Sequence, residues 1–225
     1  MLTVIRRSQI TPFHYETSGG RLTIRRYLNG AADVMVGEME VSPGAGLARH
    51  RHAHPEVYLR LSDDNTAPAP PLTFRMGSQN VRLRVNDSVH IPSNVVHEIP
   101  PPSLDQCAVR VLYAFAARDI TTDVDYDYAL IEQHVPPGRV ARPQLTRAAL
   151  APGPWSLLTR SDVLCYLLSG RITVNEQNEP LARGDGFWCR ASTQNRLCAQ
   201  RPSKIAMFWS RAGEAARAPV ISRVP

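Results

Sequence analysis

The sequence predicts an all-β chain built in two related halves, and three observations carry that reading. Nineteen prolines and thirteen glycines in 225 residues cut the chain into short runs rich in Val, Leu, Ile, Tyr and Phe, which suits many short strands better than long helices. A hydrophobic content of 43% is ordinary for a globular protein and supplies a real core. The strand texture lapses after Ala114 and then resumes, so the same order of elements is met twice.

The first half predicts strands at 34–41, 47–52, 56–61, 71–76, 80–85, 88–91 and 106–115, with a loop at 61–71 (LSDDNTAPAPP), where Asp, Asn and Pro favour turns. Residues 119–134 are acidic and suit a short helix, and PPGRVARPQ at 136–144 reads as a linker. The domains implied are 1–135 and 136–225. The second half predicts strands at 155–159, 162–168, 171–175, 186–189, 195–199 and 204–209, with a loosely attached tail at 211–225. Tyr58-Leu59-Arg60-Leu61 then lies opposite Cys165-Tyr166-Leu167-Leu168, and Asn86-Asp87 opposite Gly184-Asp185.

The net charge of +6 and a pI near 9.5 come from scattered arginines with no block of like charge and no aromatic interleaving. That pattern points to a small anionic ligand and away from nucleic acid, with most arginines on solvated surface. Cys107, Cys165, Cys189 and Cys198 form no Cys-x-x-Cys pair, so buried free thiols in a reducing compartment are expected. No apolar run at the N-terminus suits a signal peptide, and none approaches the roughly 18 residues of a membrane span. The expectation is a soluble cytoplasmic protein, and a homodimer stays open.

The chemistry concentrates in GLARHRHAHPEVY, residues 46–58. Alternate side chains of a strand share a face, so His50 and His52 point the same way, and a turn through residues 53–55 brings Glu56 to the same point. His97, which follows Pro92-Ser93-Asn94, is the natural fourth member. Imidazoles with a carboxylate suit Fe, Mn, Ni, Co or Zn. His54 and His90 fit no ligand position and are read as structural or rim residues.

These residues resemble the cupin superfamily, whose first motif runs Gly, five residues, His-x-His, three or four residues, Glu, six residues, Gly. Gly46, His50, His52 and Glu56 match it, with three residues before His50 and with Asp63 at the final glycine position. The second motif, Gly, five residues, Pro-x-Gly, two residues, His, maps onto Asn86, Pro92, Asn94 and His97. Asn stands at both glycine positions and is, after Gly, the residue that best tolerates left-handed backbone. The resemblance implies a double-stranded β-helix (jelly-roll) barrel over residues 34–115 and a bicupin overall. In the second half the same frame places Leu157, Thr159, Val163 and Asn195 at the ligand positions. That half would hold no metal, and Trp155, Phe187, Trp188, Phe208 and Trp209 would cover the first barrel.

Three histidines and one glutamate leave two cis positions on an octahedral metal for substrate and water or oxygen, a site suited to reaction. Alternation from Glu56 also turns Tyr58 and Arg60 inward, Tyr58 as a general acid or base and Arg60 as a carboxylate clamp. The cupin resemblance then implies a metal-dependent enzyme, Fe(II) first, that binds a small anionic or oxygenated metabolite and carries out dioxygenation or oxidative cleavage. A redox-neutral lyase or isomerase with Tyr58 as the proton-transfer group is the second expectation. A metal-containing or ligand-binding sensor without turnover is the third.

Overall fold

The computed structural model describes residues 2–17, 19–27, 34–52, 54–62, 71–115, 142–175, 177–211 and 217–224. These contain strands and one 3-10 turn (Arg7–Gln9), with no α-helix among them. The short helix expected at 119–134, most of the linker, the domain boundary and most of the 61–71 loop lie outside the described residues.

Three sheets build the chain. A six-stranded sheet has the order β2 (Phe13–Thr17), β3 (Gly20–Tyr27), β4 (Met35–Val41), β11 (Val109–Phe115), β6 (Glu56–Arg60), β9 (Ser88–Ile91). A four-stranded sheet has the order β5 (Leu47–His50), β10 (His97–Ile99), β7 (Leu72–Met76), β8 (Gln79–Leu83). The third, of eight strands, runs β1 (Leu2–Ile5), β16 (Gly186–Cys189), β14 (Val163–Val174), β17 (Thr193–Arg211), β13 (Gly153–Thr159), β18 (Val220–Arg223). On it, β12 (Arg142–Leu150) pairs with β17, and β15 (Leu181–Ala182) with β14.

Strand alternation explains how three cores arise from these sheets. Met39 and Val41 of β4, Tyr58 of β6 and Val109, Val111 and Tyr113 of β11 face Leu72, Phe74, Leu83 and Ile99 of the four-stranded sheet. Their alternate neighbours Val36, Val57, Leu59, Leu112 and Ala114 turn outward and pack on Leu164, Tyr166, Trp188, Ala206 and Phe208 of the eight-stranded sheet. The opposite face of that third sheet closes over Leu157, Val163, Cys165, Phe187, Ile205, Met207 and Trp209. The central strands β4, β11 and β6 of the six-stranded sheet are therefore buried on both faces. Among the described residues the all-β class holds, as packed β-sheets.

Several boundaries differ from the sequence expectation. Arg142–Leu150, partly assigned to a linker, is a nine-residue strand in register with β17 from Arg211 to Ser203. The strands expected at 195–199 and 204–209 are one continuous strand of 19 residues, and those at 162–168 and 171–175 are likewise fused in β14. The fusion works because β14 is bulged against β17 between Leu167 and Ile172. Gly170 has φ +100° there, and a Cβ on it would lie 2.1 Å from the Ser203 hydroxyl, so only glycine fits. Residues 220–223 are not loose: they pair with Trp155–Leu158 of β13. The N-terminal strand β1 crosses to the third sheet, where Leu2–Ile5 pairs with Cys189–Gly186. Of the four free thiols, Cys165 and Cys189 are buried, whereas Cys107 and Cys198 are exposed.

The two halves share one turn in detail. Arg60 N–H donates to the Asp87 carbonyl, and Asn86 N–H to the Arg60 carbonyl, each at 2.9 Å. Leu167 N–H donates to the Asp185 carbonyl, and Gly184 N–H to the Leu167 carbonyl, again at 2.9 Å. Asn86 and Gly184 both have positive φ, at 70° and 91°. Each aspartate then caps its own turn, Asp87 accepting from Arg84 N–H and Asp185 from Ala182 N–H.

Candidate metal centre

Two sheets deliver the site. β5 carries His50, β10 carries His97, and these residues pair directly across the four-stranded sheet. Glu56 opens β6 on the facing sheet. His52 lies between β5 and β6, and the adjacent Asn94 N–H donates to its carbonyl at 2.8 Å. Asn94 has φ +61°, the conformation demanded at that glycine position of the motif, and it turns the chain so that His97 enters β10 facing inward.

The geometry brings the three imidazoles together and sets the Glu56 carboxylate against two of them. One ligand atom from each of His50, His52 and His97 lies within 4.8 Å of the others. Glu56 Oε2 is 3.1 Å from His52 Nε2 and 3.3 Å from His97 Nε2. Around an ion bound at roughly 2.0–2.3 Å, ligand atoms stand up to about 4.6 Å apart, close to the spacing of the three imidazoles. Glu56 and His97 are buried, and His50 and His52 are half-buried, which leaves access from the His50–His52 side.

The tautomers decide what these rings can do. His50 Nδ1 donates to the Ala48 carbonyl at 2.7 Å, His52 Nδ1 to the His54 carbonyl at 2.5 Å, and His97 Nδ1 to the Val95 carbonyl at 2.9 Å. A carbonyl only accepts, so each Nδ1 carries a proton and Nε2 is the nitrogen left to offer a metal its lone pair; without a metal, His52 Nε2 donates to Glu56 Oε2 at 3.1 Å. Carbonyl support of this kind on the far ring nitrogen is the usual outer shell of a metal-ligating histidine. Among the described residues, Glu56 Oε1 and His97 Nε2 are buried without any hydrogen-bond partner. Buried polar atoms are normally paired; three Nε2 atoms around a desolvated carboxylate fit a divalent cation.

Electrostatics agree. Burial, then the neighbouring His97, pushes His50 down to about 4, so His50 is a neutral ligand at physiological pH. Burial also disfavours charge on His52, but the hydrogen bond and charge of Glu56 outweigh it, and its pKa is raised. Burial would lift Glu56, yet the hydrogen bond from His52 and the adjacent His97 imidazole hold it below the usual carboxylate range.

Aromatic rings frame the site. Phe115 meets His52 edge-on at 4.8 Å, and Phe74 stacks on His97 at 5.9 Å. Tyr58 is buried in the same interior with its ring 6.4 Å from that of His97. Arg60 is fully buried, and its Nη1 donates to the carbonyls of Leu61 and Arg110. Four residues of strand separate it from Glu56, about 13 Å at ~3.3 Å per residue, so the structure does not bring Arg60 to the imidazoles. His54 contributes its carbonyl, not its ring, and His90 pairs with Val57 on the outward face. The supporting carbonyls of Ala48 and Val95 were invisible in sequence, since any residue supplies one.

The corresponding positions of the second half are satisfied differently. Leu157 pairs with Asn195 as His50 pairs with His97, and Ser192 has φ +58° where Asn94 has +61°. Thr159 Oγ1 donates to the Arg190 carbonyl at 2.7 Å, and Asn195 exchanges bonds with Asn175 and Thr193. No imidazole or carboxylate stands at these positions.

No family model matches the chain, and no curated protein matches it. Solved structures do. The crystal structure of PA5104 from Pseudomonas aeruginosa, a conserved protein of unknown function, covers 95% of this chain and 100% of its own, with 13% identity and a TM-score of 0.64. YhhW from Escherichia coli covers 93% and 97%, with 12% identity and a TM-score of 0.64. Bacillus subtilis oxalate decarboxylase, described with Mn(II) centres, covers 98% of this chain and 78% of its own at 11% identity and a TM-score of 0.64. The fold is that of cupin proteins. At such identities the likeness is one of fold, and any activity has to be argued from the site.

Proposed function

We propose that this chain is a metal-dependent bicupin enzyme, with a metal-binding first barrel (residues 1–135) and a second barrel (136–225) that has lost its ligands and serves as cover. Three Nε2 atoms, each fixed by a carbonyl behind its own ring, converging on a buried carboxylate is the observation that carries the reading. His50, His52, Glu56 and His97 would hold the ion, with Fe(II) first and Mn(II) next among candidates. When bound, such an ion supplies Lewis-acid polarisation of a chelated substrate and, for iron, oxygen-dependent cleavage. The protein's residues hold the ligand atoms in place, and Phe74 and Phe115 keep water from the rings. A small anionic or oxygenated metabolite is the substrate class.

Metal analysis of protein purified without added metal, followed by oxygen uptake with a panel of small carboxylates, tests this. About one iron per chain and oxygen consumption are the expected results. Protein that retains no divalent metal, and gains none on dialysis against Fe(II) or Mn(II), overturns the proposal. Tight ligand binding without turnover reassigns the chain as a binding protein.

A second reading, redox-neutral cleavage or isomerisation, is favoured by Tyr58, whose ring shares the interior with His97. Tyr58 is there to accept or return a proton. Tyr58→Phe is expected to keep metal content while lowering turnover by ~10²–10⁴-fold, the range for a positioned proton-transfer group. Unchanged turnover with unchanged metal makes Tyr58 a packing residue.

A further inference from the structure

A cleft of about 710 Å³ opens where the start of β12 lies beside the outer face of the six-stranded sheet, lined by Glu56, His90, Pro92, Ser93, Arg142 and Gln144. Its size falls in the ~300–1,000 Å³ range of small-molecule sites. Its walls come from both halves of the chain: His90 and Ser93 from the end of β9 and the turn after it, Arg142 and Gln144 from β12. His90 pairs with Val57, whose side chain joins the core between the halves, so the imidazole stands on the outer face, away from the metal ligands.

The four polar side chains on these walls, His90, Ser93, Arg142 and Gln144, make no hydrogen bond or ion pair among the described residues. Other arginines are engaged: Arg7 and Arg110 on Glu38, Arg6 on Asp185, Arg75 on Glu98. Among the described residues, Glu56 is the only acid on the wall, and its carboxylate is engaged with His52 and His97. A guanidinium with no carboxylate partner, beside an imidazole, a hydroxyl and an amide, is a donor set for an anion.

We propose that this cleft binds the anionic group, carboxylate or phosphate, of a small molecule, with Arg142 as the forked donor and His90, Ser93 and Gln144 as neutral partners. The proposal goes beyond the metal reading and uses no metal. An anion held there is bound by both halves at once.

The test uses the full-length chain treated with chelator, so that the result does not depend on whether a metal binds. Inorganic phosphate and succinate are titrated separately by calorimetry at low salt. Saturable binding of at least one, with Kd of about 1 mM or tighter, is expected; phosphate alone marks a phosphorylated ligand and succinate alone a carboxylate. Arg142→Gln is expected to weaken that binding at least about ten-fold, and Arg142→Lys by less, since charge without the fork is retained. His90→Gln reads the same cleft from the other half and is expected to weaken binding several-fold. Arg82→Gln, an exposed arginine on β8, is expected to change nothing. Absence of saturable binding for both anions overturns the proposal, as does equal weakening by Arg142→Gln and Arg82→Gln, which would mean bulk surface charge.

Discussion

Replacing His97 with alanine, or Glu56 with glutamine, is expected to reduce metal affinity by more than about 10²-fold. Loss of an outer-shell partner alone costs ~10–100-fold, and these are the ligands themselves. Metal present at about 1,000 times its Kd stabilises a folded protein by ~4 kcal/mol, or roughly 8–16 °C for a domain of this size. Adding metal should therefore raise the melting temperature of the wild type and leave both variants where they were. Without metal the two variants part company. His97→Ala opens a cavity beside Phe74 and melts lower, whereas Glu56→Gln removes a desolvated charge and offers amide donors to the imidazole lone pairs. Chelated Glu56→Gln is expected to melt no lower than chelated wild type. Both variants retaining full metal would remove the four-ligand centre from consideration.

Acid should release the metal, and the sign follows from the ligands. Metal binding requires each Nε2 unprotonated. His50, pushed down to about 4, offers no competition near neutrality. His52, raised by Glu56, is the proton competitor, so affinity should climb as pH rises and protons should be released on binding. Titrations in two buffers of different ionisation enthalpy measure that release; affinity unchanged between pH 5 and 8 speaks against the assignment.

The site was legible because its information is local. His50 and His52 are two apart where β5 ends, Glu56 and Asn94 sit at fixed offsets, and the Asn residues at positive φ, 86 and 94, occupy the glycine positions of the motif. The Leu157–Asn195 pairing was legible for the same reason. What stayed hidden depends on distant partners. Four residues, LTVI, say nothing of pairing with β16, nearly the whole chain away. Arg142-Pro143-Gln144 reads as the end of a linker until β17 is laid beside it, and residues 200–203 read as a break between two strands although β17 runs through them. In MVGEMEV the glutamates look like the solvent side of an ordinary strand. They read that way because nothing local tells that a second sheet covers that face.

Glu38 is the consequence of that cover, and the largest effect on folding is expected there. It is completely buried. Arg7 donates to both its oxygens, Arg110 donates to Oε1 through Nε at 3.2 Å and Nη2 at 2.9 Å, and Tyr166 and Tyr27 donate their hydroxyls at 3.0 and 3.3 Å. Arg7 N–H in turn donates to Asp185, and the Tyr27 hydroxyl also reaches the Gly184 carbonyl, so one carboxylate ties the N-terminal arm, β4, β11 and β14 together. Glu38→Gln leaves Arg110 and Arg7 uncompensated at the junction of the halves. Removing one partner of a buried ion cluster costs ~3–5 kcal/mol, a fall of roughly 6–20 °C in melting temperature. Glu38→Met combined with Arg110→Met should recover part of the loss, since apolar groups of similar volume need no counter-charge. Burial alone would raise the Glu38 pKa, but its hydrogen bonds and the two arginines hold it below the usual range. A lowered folded pKa means that this stabilisation is complete above the unfolded value of ~4.3 and disappears as pH falls through the folded one. Wild type should therefore lose stability steeply below about pH 4, and Glu38→Gln should lose less over the same range. Melting curves of both proteins from pH 7 downward decide it: a variant that melts with wild type at neutral pH, or parallels it in acid, would show that the carboxylate is not what holds the halves together.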